Sequence, residues 1–260
     1  MTQPSPDNRW IAYRKPNPAA RLRLFCFHYA GGGASVFRDW QGAVPSAIEI
    51  CPVQLPGRES RLRDPALTRV GPIIDALPGV MEHLFDLPFA FFGHSMGAIL
   101  SHELALRLRS LGKPMPVHLL LSARRAPHRP EKDKPIHDLP EEEFKHELRQ
   151  LEGTPEAVLE HPELMELLSP LLRADFAVCE THEYQPAEPL TIPISVFGGL
   201  GDHKVDRQDL EEWRQYTTGP FKMRMFDGNH FFLQGPARTD VLRCLCEDLA
   251  ATTGLLGGGA

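Results

Sequence analysis

A chain of 260 residues, 42% of them hydrophobic, is long enough for one sizeable α/β core with an inserted subdomain. Its formal charge of −6, without a dominant basic stripe, argues against a nucleic-acid or membrane-surface protein. No apolar run reaches the roughly 18 residues of a spanning helix, and Met1-Thr2-Gln3-Pro4-Ser5-Pro6-Asp7 is too polar and proline-rich for a signal peptide.

Residues 1–20 read as a flexible leader. A short apolar run at 21–27 then reads as the first strand, followed by the small-residue loop His28-Tyr29-Ala30-Gly31-Gly32-Gly33-Ala34-Ser35. Helical pattern at 36–42 precedes a strand at 48–54, and a helix at 73–85 precedes a strand at 88–92. The next helix, 96–111, places Ile99, Leu100, Leu104 and Leu108 at helical spacing, and Gly112 stops it at C′. A strand follows at 117–122. Later strands at 194–197 and 221–226 alternate with helices at 207–216 and 238–251. Repeated βα alternation implies an α/β class with a mostly parallel sheet covered on both faces.

One stretch breaks this rhythm. Residues 127–183 contain no convincing strand but carry helical pattern at 140–151, 154–160 and from 162 to about 178. Thr154-Pro155 is a good helix start, with Thr as N-cap and Pro at N1. A helical insertion between two sheet strands reads as a lid, flanked by core segments 21–126 and 184–252. Some of its apolar residues, Phe144, Leu148, Leu151, Leu164, Leu167, Leu168, Leu171 and Phe176, are expected to line a chamber, and most to be core between lid and body. Residues 253–260 read as a flexible tail.

The chemistry centres on Gly93-His94-Ser95-Met96-Gly97, a Gly-x-Ser-x-Gly box between an apolar strand and a long helix. That is the setting of a nucleophile elbow, where a strained turn lifts the serine clear of the sheet. Glycines on either side keep strand and helix from clashing. Ser95 needs a base, and the base needs an orienting carboxylate. His230, in the loop after strand 221–226, is the candidate base. Asp202, in the loop after strand 194–197, is the candidate acid, and Asp206 is expected instead to cap the helix at 207. Oxyanion donors are expected from the backbone N–H groups of Met96 and, in the 28–35 loop, of Ala30. That loop is not a phosphate cradle, because Val36 stands where a third glycine would be needed and no Gly-Lys-Ser/Thr follows.

The five cysteines, Cys26, Cys51, Cys179, Cys244 and Cys246, are odd in number and mostly in apolar runs, so reduced buried thiols in a cytosolic protein are expected. No His-Glu-x-x-His and no Cys/His cluster occurs, so no metal site is expected.

Six motifs together resemble those of type II thioesterases, the stand-alone editing hydrolases of polyketide and nonribosomal peptide assembly lines. They are Phe27-His28-Tyr29-Ala30-Gly31-Gly32, Gln54-Leu55-Pro56-Gly57-Arg58, Phe92-Gly93-His94-Ser95-Met96-Gly97-Ala98, Leu139-Pro140-Glu141-Glu142-Glu143-Phe144, Leu171-Leu172-Arg173-Ala174-Asp175-Phe176 and Gly228-Asn229-His230-Phe231-Phe232-Leu233. The resemblance runs from about residue 22 to 249. It implies an α/β-hydrolase fold with a helical lid, and hydrolysis of acyl thioesters on carrier-protein phosphopantetheine without a cofactor. It also implies Ser95, Asp202 and His230 as nucleophile, acid and base, with Ala30 and Met96 as oxyanion donors. Acyl or peptidyl carrier proteins are the implied partners, in the cytoplasm. A small-ester carboxylesterase and a non-catalytic carrier-binding scaffold are the rival readings.

Two positions depart from the family pattern. His28-Tyr29 stands where the family commonly has Pro-His before the Ala-Gly-Gly, and Tyr29 is expected to change the mouth of the pocket. Asn229 replaces a common glycine and is expected to tolerate unusual backbone angles. Carrier proteins are acidic, so the basic run Arg124, Arg125, Arg129, Lys132 and Lys134 is a candidate docking patch.

Overall fold

The computed structural model describes residues 9–254. Six strands form one sheet: β1 (Leu22–Phe27), β2 (Ile48–Pro52), β3 (Phe89–His94), β4 (Leu119–Ser122), β5 (Ile194–Gly199) and β6 (Phe221–Phe226). All pairings are parallel, in the order β2-β1-β3-β4-β5-β6. The five strands β1–β5 bury every residue, as parallel strands covered on both faces do. β6 is an edge strand and mostly half-buried.

Side chains alternate between two cores. Phe25, Phe27, Phe91, Leu121 and Val196 pack on one face with helices α1 (Val70–Met81) and α2 (Met96–Ser110). Leu24, Cys26, Phe92, Leu120 and Phe197 pack on the other with Trp40 and α7 (Arg238–Thr253). Each such buried aromatic or leucine contributes about 1.5–3 kcal/mol of transfer free energy. α2 ends as its sequence foretells. Gly112 takes φ +62°, its N–H donates to Arg109, and that of Lys113 donates to Leu108, a Schellman closure.

The chain departs from the sequence expectations in several places. The expected leader is docked from residue 9 on: Ile11 is buried and pairs antiparallel with Val53, because its apolar side chain finds the β2 edge of the core. Residues 1–8 of that leader and 255–260 of the expected tail lie outside the described residues, while Thr253 ends α7. The pattern at 36–42 forms two short 3₁₀ turns, Ala34–Phe37 and Trp40–Gly42, instead of an α-helix. Helix 207–216 is α6 (Arg207–Glu211) followed by a 3₁₀ turn.

Between β4 and β5 run α3 (Glu141–Gln150), α4 (Glu156–Leu159) and α5 (Pro162–Glu180). α4 starts one residue later than expected. Pro155 occupies the N-cap, and Thr154 lines a cavity instead of capping. This insertion has a small core of its own, with Phe144, Leu148, Leu159 and Met165 buried together, so those phenylalanine and leucine side chains are not simply a seam against the body. Leu164 and Leu167 are exposed.

The strand order sets up the site. The chain leaves β1 for β2 on one side and returns to β3 on the other, a topological switch point. Loops leaving the C-terminal ends of β1 and β3 therefore diverge around one crevice, and Phe27 is in register with Gly93. No helix among the described residues is long and apolar enough to cross a membrane.

Candidate active site

Ser95 stands at the β3–α2 turn with φ 54° and ψ −112°, a conformation costing about 1–3 kcal/mol for a non-glycine residue. Its N–H is tied to the Ser122 carbonyl at 2.8 Å. Both flanking glycines are obligatory here. A Cβ at Gly93 would lie 2.0 Å from the Gly97 carbonyl oxygen, and one at Gly97 would lie 2.1 Å from that of Phe27. Met96 is the first residue of α2, so its N–H is among those the helix leaves unused.

The loops carrying His230 and Asp202 pack backbone against backbone. A Cβ at Gly199 would meet the Asn229 carbonyl oxygen at 2.5 Å, and the Gly201 N–H donates to the Gly228 carbonyl at 2.9 Å. This close approach brings His230 Nδ1 to 2.7 Å from Asp202 Oδ2. Asp202 Oδ1 accepts the N–H groups of Lys204 at 2.9 Å and Val205 at 3.2 Å. Burial pushes the Asp202 carboxyl up, but the His230 bond and charge and the two N–H bonds outweigh it, holding the group below its ordinary value. An ionised carboxylate only accepts, so Nδ1 carries a proton, and in the neutral ring the lone pair is left on Nε2. Asp206 caps α6 as expected, in a reciprocal capping box with Asp209.

Ser95, Ala30 and His230 line one cavity of about 190 Å³, with Tyr29 and Phe231 at their side. Asp202 stands behind His230, its side chain buried. No hydrogen bond joins the Ser95 hydroxyl to His230 among the described residues; such bonds commonly tighten only when substrate is bound. Of the insertion residues expected at a chamber, Leu148, Leu151 and Phe176 line it, joined by Ile136 and Leu172. Cys179 is also in the wall, but burial pushes its thiol up to about 12, so it stays a neutral group and not a competing nucleophile. All five cysteines are free.

Tyr29 does shape the mouth. Its ring meets Phe231 edge-on at 5.1 Å, and its hydroxyl accepts from the Gln234 amide. Asn229 works differently from expectation. The unusual backbone angle falls on Gly228, at φ +125°, not on Asn229. The Asn229 side chain instead accepts the Phe231 N–H at 2.9 Å and donates to Glu152 of the insertion at 3.1 Å.

The basic run is largely engaged. Arg124 pairs with Glu131, Arg129 with Asp209 at 3.6 Å, and Lys132 with Asp206 at 2.9 Å and Asp209 at 2.6 Å. Arg125 donates to the carbonyls of Pro130 and Lys204. Lys134 is exposed, has no partner among the described residues, and lies at the cavity rim. No group of three or more His, Cys, Asp or Glu side chains among the described residues is arranged to hold a metal ion.

Sequence reasoning gave no role to His94. It is fully buried, and burial together with the nearby His230 holds it neutral, with its pKa lowered to about 3. Its Nε2 lies 2.9 Å from the His230 carbonyl and its Nδ1 2.9 Å from Ser122 Oγ. A carbonyl only accepts, so Nε2 carries the proton and Nδ1 accepts from the serine. The signal was present, since His94 adjoins Ser95, but a buried bond between two loops has no sequence spacing.

The profile of the "Thioesterase domain" family matches residues 22–249. The chain belongs to the thioesterase family. It is an enzyme that acts on thioesters, built on the α/β-hydrolase fold. The gramicidin S biosynthesis protein GrsT of Aneurinibacillus migulanus is 45% identical over 249 residues, covering 96% of this chain and 97% of that protein. The RedJ thioesterase from the prodiginine biosynthetic pathway in Streptomyces coelicolor superimposes with a TM-score of 0.83 at 37% identity, covering 95% of this chain and 90% of that one. BorB, a type II thioesterase from the borrelidin biosynthetic cluster, gives a TM-score of 0.83 at 35% identity, covering 95% and 100%. The resemblance to type II thioesterases of such pathways therefore holds across nearly the whole length of this thioesterase.

Proposed function

We propose that this thioesterase hydrolyses short acyl or aminoacyl thioesters held on the phosphopantetheine arm of carrier proteins, as an editing enzyme of a cytoplasmic polyketide or nonribosomal peptide assembly line. The observation that carries the catalytic part is the 2.7 Å bond between His230 and the buried Asp202 at the cavity that Ser95 lines. His230 Nε2 takes the Ser95 proton as Oγ attacks the thioester carbonyl carbon. The oxyanion forms against the N–H groups of Met96 and Ala30. The C–S bond then breaks, and the thiol leaves with the proton from His230. Water, deprotonated by the same nitrogen, attacks the acyl-Ser95 ester, the ester C–O bond breaks, Nε2 returns the proton to Ser95 Oγ, and the acid leaves. These side chains and water balance every step.

The helices α3–α5 act as the lid in this reading, and their apolar wall receives the acyl group. The carrier-protein partner is supported by GrsT, RedJ and BorB, which are described as proteins of biosynthetic pathways or clusters. The test compares turnover of an acyl-carrier thioester, an acyl-N-acetylcysteamine thioester and a p-nitrophenyl ester, together with labelling of Ser95 by a fluorophosphonate. Preference for the thioesters supports the reading. Faster turnover of the oxygen ester identifies a carboxylesterase, and an unlabelled Ser95 identifies a non-catalytic scaffold.

A further inference from the structure

The loop that carries Ala30 is glycine-rich and has little stiffness of its own, with Gly31 at φ +79°. It is held from outside the sheet. Asp175, on lid helix α5, accepts the Gly31 N–H at 2.8 Å through Oδ2. Arg58, in the loop after β2, clamps the same carboxylate with two bonds, Nη1 to Oδ2 at 2.7 Å and Nη2 to Oδ1 at 2.8 Å. Arg58 Nη1 also donates to the Gly32 carbonyl at 3.0 Å. The Ala30–Gly31 and Gly32–Gly33 peptide groups of the loop are thus both fixed by one ion pair. Both side chains are almost wholly buried, at 4% and 1% exposure, where such a fork is rigid.

The lid presses the same spot a second time. Leu172, one turn before Asp175 on α5, has Cδ2 only 2.6 Å from where a Cβ on Gly31 would stand. His28 Nδ1 lies 2.8 Å from the Tyr29 carbonyl, and Gln54 and Glu59 accept the Ala34 and Ser35 N–H groups, so apart from the ion pair the side-chain bonds to this loop fall on either side of Gly31 and Gly32. The mechanism does not use Arg58 or Asp175, yet they end on Gly32 and Gly31, the two residues after Ala30.

We propose that Asp175, clamped by Arg58, is a positioning residue that aligns the Ala30 oxyanion donor only while the lid is seated. Lifting α5 withdraws the acceptor from the Gly31 N–H and frees the loop. Reseating α5 restores the donor, so oxyanion stabilisation is coupled to closure over a bound acyl group. The inference rests on the proposed function in taking Ala30 as a donor to the thioester oxyanion.

The test uses the full-length chain with Asp175→Ala, Asp175→Asn and Arg58→Lys. Three readouts are taken well below the melting temperature: kcat and KM for an acyl-N-acetylcysteamine thioester, the rate of Ser95 labelling by a fluorophosphonate, and amide exchange over residues 28–35. Loss of one oxyanion donor's alignment is expected to lower kcat in Asp175→Ala by about 30- to 100-fold and labelling by a similar factor, with KM within about 3-fold. Asp175→Asn, which keeps an acceptor for Gly31, should recover part of the rate. Exchange should rise over 28–35 and not over 194–205. A lower melting temperature with kcat and labelling unchanged would overturn the proposal and leave the pair as a strut between lid and body. If Asp175→Ala does not fold, Asp175→Asn and Arg58→Lys decide, because each keeps one half of the clamp. If wild type takes the label but cleaves no thioester, the substrate reading fails, while the labelling ratios and exchange still judge the coupling.

Discussion

The imidazole of His94, the residue before Ser95, donates to the backbone carbonyl of His230 at 2.9 Å. The Ser95 turn thus holds the loop of His230, the proposed base, and a third strand joins through Ser122 Oγ. His94→Ala leaves that half-buried carbonyl without its partner, at a stability cost of about 1–3 kcal/mol. Misplacement of His230 is expected to lower kcat by about 10- to 100-fold, with His94→Gln retaining more. Steady-state kinetics beside thermal melts check this. A melting shift with kcat intact would reduce His94 to a packing residue.

Ser95→Ala and His230→Ala are expected to lower kcat by about 10³-fold or more, with folding preserved. Asp202→Asn belongs with them, because it abolishes the carboxylate that orients Nδ1. Asp206→Asn should leave turnover near wild type, since Asp206 accepts from Asp209 N–H as a helix cap. Kinetics on a short acyl thioester decide between the aspartates. Reversed behaviour would mean the acid is misassigned.

What was legible follows from the range of each interaction. The strands were readable because parallel strands buried on both faces leave unbroken apolar runs, as in Leu22–Phe27 and Phe89–His94. Asp202 and His230 were readable because each follows a strand end, a place a linear pattern can mark. Asp175 and Arg58 were not, since 117 residues separate them and no periodicity links a lid helix to the loop after β2. The basic run misled for the same reason. Its partner Asp209 lies 77 residues beyond Lys132, so charges that look free along the chain are spent in space. Short helices such as Ala34–Phe37 failed because a few apolar residues fit a 3₁₀ turn as well as an α-helix.

Acid should destabilise this protein through its histidines. His28 and His118 are held to about 4 and His94 to about 3, in each case mainly by burial. Unfolding frees them to protonate near their ordinary value of about 6.5. The unfolded state therefore binds more protons between about pH 6.5 and 4, and stability falls as pH drops through that window. Three such groups give a slope of roughly 4 kcal/mol per pH unit near pH 5. Lowered carboxyls such as Glu103, at about 2, add to the slope from about pH 5 downward. Urea melts at pH 7, 6 and 5 measure the slope, and His118→Gln should cut it by about a third. A slope unchanged by that substitution would assign the acid sensitivity elsewhere.

The chamber of about 190 Å³ is smaller than typical ligand pockets of about 300 Å³ and above, so short acyl groups should be preferred. Thioesters of two to four carbons should exceed dodecanoyl in kcat/KM by about tenfold or more, one order corresponding to roughly 1.4 kcal/mol. Leu151→Ala removes wall and should shift preference toward longer chains without unfolding. Leu164→Ala, on the exposed outer face, should not. A dodecanoyl preference in wild type would show that the lid opens a larger chamber in solution.

Docking is the place where the structure redirects the experiment. Reversing Arg129 or Lys132 would strand Asp209, whose carboxylate is buried against both, so losses there would reflect stability and not partner encounter. Lys134 is exposed at the rim, without a partner among the described residues, where a phosphate or an acidic carrier helix can approach. Charges of this kind act mainly through encounter rate and are screened by salt. Lys134→Glu is therefore expected to lower kcat/KM for an acyl-carrier substrate by about 3- to 10-fold at low ionic strength and less at high. A short acyl-cysteamine thioester, which has neither phosphate nor carrier, should be cleaved as before. Lys132→Glu should instead lower the melting temperature and affect both substrates. If Lys134→Glu slows both substrates equally at every salt concentration, the lysine supports the chamber wall, and the carrier approaches from another side.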